Sequence, residues 1–226
     1  MSTFVLIPGA DGRALYWRYL VPELRQRGHD AVAVGLPLEG SNGLAEYASA
    51  VVDAVADRND LVVVAQSLGA LTGPLVCGRL PVRHLVLLNP MVPAPGETAN
   101  DWWGNTGQEE ARVRAATEEG RPTEFEIVRD FFHDVPEDVT AAMVADDSPA
   151  ADLATVFGDP WPLTAWPDVS TRFLQGRDDR FFPLAFQRRI ARERLGIDSI
   201  DEVPGGHLLA LSRPRDLADR LDAYVR

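Results

Sequence analysis

Apolar residues follow one another along this chain in two rhythms. Short, nearly continuous apolar runs rich in β-branched residues appear at "TFVLI" (3–7), "AVAVG" (31–35), "LVVVA" (61–65), "HLVLLN" (84–89), "TRFLQ" (171–175) and "SIDEV" (199–203). Several are apolar almost throughout, the pattern of parallel strands covered on both faces. Between them, longer amphipathic stretches predict helices over 15–27, 43–57, 68–79, 184–195 and 208–225. The first sets Leu15, Tyr16, Tyr19, Leu20 and Leu24 on one face and stops at Gly28. The alternation predicts an α/β chain built on a doubly wound, mostly parallel sheet of about six strands. Such sheets carry their sites at the carboxyl ends of the strands.

One region breaks the rhythm. From Met91 to Trp166 there is no strand-like run, only a Pro- and Trp-bounded opening, an acidic helical stretch and a closing "GDPWPLTAWPDV". The expected organisation is therefore a core of residues 1–90 and 167–226, with 91–166 inserted as a mostly helical cap or lid above the sheet's carboxyl edge.

Composition narrows the function. The formal charge of −12 argues against nucleic acid or an anionic membrane as a partner. All 22 basic residues are arginine, and a chain without lysine has neither a Schiff-base amine nor a P-loop lysine. Cys77, the only cysteine, sits in an apolar stretch and cannot form an intrachain disulfide. The start shows no basic n-region, and no segment approaches the roughly 20 apolar residues of a membrane helix. A cytoplasmic location is expected on those grounds. Oligomeric state is not encoded in any of these features.

The stretch Leu61–Gly73, "LVVVAQSLGALTG", carries the chemistry. A serine at the turn from a buried strand into a small-residue helix projects its hydroxyl above the sheet, in the manner of the G-x-S-x-G elbow. Here the five residues are Ala65-Gln66-Ser67-Leu68-Gly69, with alanine at the first small position. A hydroxyl needs a base to become a nucleophile. Of four histidines, His29 falls in a turn, His84 at the amino edge of a strand, and His133 in the insertion. His207, in the glycine-rich loop "PGGH" after the last strand, shares the carboxyl edge with Ser67. An imidazole in this role needs a carboxylate, and "GRDDRFFP" offers Asp178 and Asp179. For a tetrahedral oxyanion, the N–H of Leu68 belongs to the elbow itself and that of Ala10 to the loop "PGADG" after the first strand.

In its whole length the chain resembles an α/β-hydrolase fold protein, and the order Ser67, Asp179, His207 is that family's order. The opening "FVLIPGADGRALYWRYLVPELRQRGHDAVAVGLP" resembles the compact esterase branch that includes plant methylesterases and hydroxynitrile lyases. "GRDDRFFP" resembles its acid loop, G-x-x-D-x-x-x-P, which selects Asp179 over Asp178; "PGGH" followed by "LSRP" resembles its histidine loop. Relatives carry a histidine where this chain has Pro8.

The resemblance implies a serine hydrolase acting on an ester, thioester or lactone of a small hydrophobic substrate, with Ser67, Asp179 and His207 catalytic and no cofactor. The lyases of that branch use a cap lysine, absent here. A lyase, cyclase or acyltransferase of the same fold, or a non-catalytic binding protein, are the alternatives. Trp102 and Trp103 are the candidate wall of an apolar substrate pocket. No histidine–acid spacing suggests a metal site.

Overall fold

The computed structural model describes residues 1–38, 40–55, 57–145 and 152–226. Six parallel strands form one sheet: β1 (Thr3–Ile7), β2 (Asp30–Ala33), β3 (Leu61–Gln66), β4 (Val82–Leu88), β5 (Ser170–Gly176) and β6 (Asp201–Val203). They lie in the order β2-β1-β3-β4-β5-β6. All of β1 and β3 is buried, which accounts for their unbroken apolar sequence.

Two-residue periodicity then sends alternate side chains to opposite faces. Val5, Ile7, Val63, Ala65, Leu85 and Leu87 join one apolar cluster, with Val51 of helix α2 (Leu44–Val55), Val76 of α3 (Gly73–Cys77) and Ile190 of α9 (Leu184–Leu195). Phe4, Leu6, Val62, Val64, Val86 and Leu88 join the other, with Leu24 of α1 (Leu20–Gln26), Leu211 of α10 (Leu209–Ser212) and Leu217 of α11 (Pro214–Ala223). Each fully buried Val, Leu or Ile contributes about 1.5–3 kcal/mol, so both layers are secured by burial rather than by any single contact.

The insertion between β4 and β5 holds α4 (Ala99–Thr106), α5 (Gln108–Glu118), α6 (Ile127–Phe131), α7 (Glu137–Val144) and α8 (Ala154–Gly158), and no strand among the described residues. Residues 146–151 of the expected 91–166 segment lie outside the described residues. Its core is not separate from the sheet's: Trp102, Val156 and Trp161 belong to the first cluster, Val135 and Val139 to the second.

Three helix boundaries differ from the periodicity. The stretch expected as a helix over 208–225 divides into α10 and α11 at Arg213, whose φ of −137° departs from helical values because Pro214 follows. The stretch 15–27 divides into a 3-10 turn at Ala14–Trp17 and α1, and 68–79 into a 3-10 turn at Ser67–Leu71 and α3, which has Pro74 in its first turn. Apolar spacing cannot distinguish one helix from two consecutive pieces that bury their apolar residues in the same cluster. Among the described residues no helix is long and apolar enough to cross a membrane.

Candidate active site

The strand order reverses between β1 and β3: the chain runs from β1 out to β2 and then crosses back to the other side of β1. A crevice opens at the carboxyl ends of such a pair. Register pairs Ile7 with Ala65, so Pro8-Gly9-Ala10 rises directly beside Gln66-Ser67. The approach is close enough to dictate residue type. A Cβ on Gly9 would strike the Gln66 carboxamide and sit 3.2 Å from Ser67 Cβ, and one on Gly69 would strike the Pro8 carbonyl. The alanine at the elbow's first small position is also explained. Ala65 Cβ would be 2.8 Å from a Cβ at Gly73, so a glycine on the following helix supplies the space that the motif normally finds at position 65.

Ser67 itself has φ +50°, a left-handed conformation that costs a non-glycine residue about 1–3 kcal/mol. The strand before it, the helix after it and the hydrogen bond from Met91 N–H to the Ser67 carbonyl (3.0 Å) hold it there. The consequence is a hydroxyl lifted out of the sheet plane toward the histidine loop.

Ser67 Oγ is 3.2 Å from His207 Nε2, and His207 Nδ1 is 2.8 Å from Asp179 Oδ2. The acid accepts at Oδ2, so Nδ1 carries the proton and Nε2 is left to accept from the serine hydroxyl. The other oxygen of Asp179, Oδ1, accepts from the N–H groups of Phe181 (2.8 Å) and Phe182 (2.9 Å), and Gln175 Nε2 donates to Oδ2 at 3.3 Å. His207 is 2% exposed, walled by the rings of Phe131, Phe182 and Phe181 with centroids 4.9, 5.2 and 5.4 Å away.

Asp178, the competing acid, turns instead to the Gly205 N–H at 2.9 Å and pins the histidine loop. His133 does not enter the serine's cavity. It lies behind that loop, near Gly206, where burial and the Arg180 guanidinium hold its imidazole below the ordinary histidine range. Leu68 N–H belongs to the first turn of the 3-10 segment Ser67–Leu71, where the first amide hydrogens have no intrahelical acceptor, and Ala10, in the loop after β1, lines the cavity over Ser67.

A cavity of about 400 Å³ opens over Ser67 and His207. Its floor is Gly9, Ala10 and Gln66; its apolar wall includes Tyr16, Phe131, Phe132, Met143 and Leu211; Asp11 and Arg13 also face it. Burial keeps the Tyr16 phenol well above the usual tyrosine range, neutral across accessible pH. Asp11 stands at the exposed rim, yet the surrounding protein desolvates its carboxyl enough to push the pKa up to about 6.

Trp102 and Trp103 are not part of this lining. Trp102 is fully buried, donates from Nε1 to the Val92 carbonyl at 2.9 Å and packs on Phe182 and Phe186. Trp103 lies against Phe181 and Phe182, behind the wall of phenylalanines around the histidine. Both anchor the insertion to the body. Part of the cavity's apolar wall comes instead from α6, α7 and Phe132 after α6, and the adjacent Phe131 and Phe132 in an otherwise acidic stretch were the available signal. Among the described residues, no group of three or more His, Cys, Asp or Glu side chains could hold a metal ion.

Comparison with known proteins identifies the fold. A search of curated protein sequences finds no match. Among solved structures, polyneuridine aldehyde esterase superposes with a TM-score of 0.79 at 17% identity, covering 100% of both chains. A pyrethroid hydrolase from Sphingobium faniae JZ-2 gives 0.74 at 21% identity, over 99% of this chain and 96% of that one. Tomato methylketone synthase I complexed with 2-tridecanone gives 0.73 at 19% identity, over 99% and 97%. At such identities the likeness is one of fold. A family model described as "Alpha/beta hydrolase family" matches residues 4–220, nearly the whole sequence, and with the six-stranded parallel sheet it shows that this chain belongs to the α/β-hydrolase family.

Proposed function

We propose that the protein is a serine hydrolase that cleaves an ester, thioester or lactone of a small hydrophobic substrate. The observation that carries this reading is the continuous hydrogen-bond chain from Asp179 through His207 to Ser67 Oγ, ending in an apolar cavity. In the proposed reaction His207 Nε2 removes the Ser67 proton as Oγ attacks the substrate's carbonyl carbon. The N–H groups of Ala10 and Leu68 receive the oxyanion, a contribution of about 2.7–4 kcal/mol per donor in enzymes of this design. The imidazolium, stabilised by Asp179, passes its proton to the leaving alkoxide or thiolate. Water then enters, His207 takes its proton as the resulting hydroxide attacks the acyl carbon, and the imidazolium returns that proton to Ser67 Oγ as the acyl bond to serine breaks and the acid leaves. Every step uses a side chain, a backbone N–H or water.

The cavity size and lining support a substrate of modest bulk with at least one apolar group. Helices α6 and α7 are the proposed cap, because Ile127, Phe131, Phe132, Met143 and Val144 face the cavity over the serine. The tomato neighbour holds an aliphatic ketone, 2-tridecanone, which fits the same apolar character. Labelling with a fluorophosphonate, alongside a panel of chromogenic esters of graded chain length, tests the reading. Wild type should label and turn over a subset of esters, while Ser67→Ala should do neither. Folded wild-type protein that resists the probe and every ester would defeat the proposal. Product analysis with an added alcohol separates hydrolysis from acyl transfer.

A further inference from the structure

Three segments must meet for the serine, histidine and acid to align: the elbow after β3, the acid loop after β5 and the histidine loop after β6. One residue touches the last two and sits two positions from the contact to the first. Asn89, immediately after β4, is fully buried. Its Oδ1 accepts from the Gly176 N–H at 2.7 Å, at the root of the acid loop. Its Nδ2 donates to the carbonyls of Gly206 (3.2 Å) and His207 (2.8 Å) in the histidine loop. Its backbone N–H donates to the Leu174 carbonyl at 2.9 Å, and Met91, two residues on, donates to the Ser67 carbonyl.

The chemistry of this junction admits few side chains. The two loops crowd so closely that a Cβ on Gly176 would strike the Gly206 carbonyl and lie 2.8 Å from the Gly205 carbonyl. That leaves two buried carbonyls and one buried N–H facing a single point. A carboxamide offers two donors and an acceptor, which satisfies all three. An aspartate would satisfy the N–H and set a bare oxygen against two carbonyls; an apolar side chain would strand all three polar groups. The backbone makes the same selection: φ is +43°, a left-handed value that asparagine tolerates better than most non-glycine residues.

We propose that Asn89 is the positioning residue that sets His207 against Asp179 and Ser67, acting through the two loops without touching substrate. The assignment rests on the serine-hydrolase reading for its kinetic consequence, but the geometry it claims is independent of any substrate. A displacement of about 1 Å at a reacting centre costs on the order of a hundredfold in rate. Asn89→Asp keeps size, φ tolerance and the Gly176 contact while losing both donor contacts.

The test measures three quantities on wild type, Asn89→Asp and Asn89→Ala: steady-state kinetics on the best chromogenic ester, the rate of fluorophosphonate labelling at Ser67, and the low-field proton NMR resonance of His207 Nδ1–H, assigned by its absence in His207→Gln. The expected result is a fall of about a hundredfold in kcat with KM changed less than threefold, an equal fall in labelling rate, and a shifted or lost resonance. Val51→Ala, remote from the site in the α2 layer, is the control for general loss of stability and should keep kcat and the resonance. Folded Asn89→Asp with wild-type kcat and an unmoved resonance overturns the proposal. Should Asn89→Asp fail to fold, Asn89→Ala decides on the same readings. If wild type hydrolyses no ester, the functional reading falls by itself, and the resonance still judges the role of Asn89.

Discussion

The molecule contains two histidine–aspartate pairs of nearly the same contact distance, one buried and one half-buried. His207 Nδ1 lies 2.8 Å from Asp179, and His29 Nε2 lies 2.9 Å from Asp222. Their surroundings differ at the second ring nitrogen. In His29 it accepts from the Ser2 backbone N–H at 3.3 Å, and Asp222 is also paired with Arg226, so the unit ties the start of β1 to the end of α11 and has no unused valence. In His207 the second nitrogen faces the Ser67 hydroxyl and a cavity. The lesson is that the pair alone carries no function. A reactive third partner, space for a ligand and a place on the carboxyl edge distinguish the two.

Substitutions at each pair sharpen the contrast. The largest effect should come from Ser67→Ala and His207→Gln, each expected to lower kcat by about 10⁴-fold or more on the best chromogenic ester. His29→Gln should leave kcat within about twofold and instead cost about 0.5–1.5 kcal/mol in urea unfolding, the net worth of a hydrogen bond, because Asp222 keeps Arg226. Equal kinetic losses at the two histidines would erase the distinction.

The aspartates should separate in the same way. Asp179→Asn is expected to cost about 10⁴-fold in kcat, because the imidazole loses its orienting acceptor. Asp222→Asn should spare kcat and change the pH dependence of stability. Arg226 and His29 hold the Asp222 carboxyl below the usual range, so its contribution is present at neutral pH and fades as pH falls through its lowered folded value. Thermal melts should therefore show wild type above Asp222→Asn at pH 7 and the gap closing in strong acid.

Smaller effects probe the surroundings that His29 lacks. Phe131→Ala removes a ring that both stacks on His207 and walls the cavity, and should raise KM about tenfold for apolar esters, with a lesser effect on short ones. The smallest expected change is at Asp11. Above pH 6 its carboxylate carries a negative charge beside Ala10, where the proposed oxyanion develops. Asp11→Asn should raise kcat/KM about threefold at pH 8 and leave it unchanged at pH 5, in a full pH–rate profile. The raised pKa also means that ionised Asp11 weakens the fold as pH climbs toward 6, so the same variant should melt slightly higher at pH 8.

Much of this arrangement was legible in the primary structure. Continuous apolar runs identify strands buried on both faces, and the interposed amphipathic runs imply a wound parallel sheet. Ser67 and His207 stand out because each follows a strand and sits among glycines or turn residues, where a polar side chain has no packing task; Asp179 is told from Asp178 only by the resemblance of its loop to the family's acid loop. Trp102 and Trp103 were legible only as large apolar residues. Whether such a ring faces a ligand or a neighbouring helix depends on the orientation of the insertion, which local sequence does not encode. Asn89 and Gln175 gave no signal, since a lone amide at a strand end is compatible with any loop.

What the linear order determined by itself was therefore local: the strand and helix periods, the small residues that let β1, β3 and α3 crowd together, and the types of side chain placed at strand ends. Only the tertiary structure decided that a second histidine–aspartate pair, His29 with Asp222, ties β1 to α11, which aromatic residues wall the cavity, and that a single amide spans two loops. Burial of alternate side chains is a short-range constraint that any segment of the right period satisfies. Meetings among residues 67, 89, 179 and 207 exist only after every crossover has closed the sheet in its observed order.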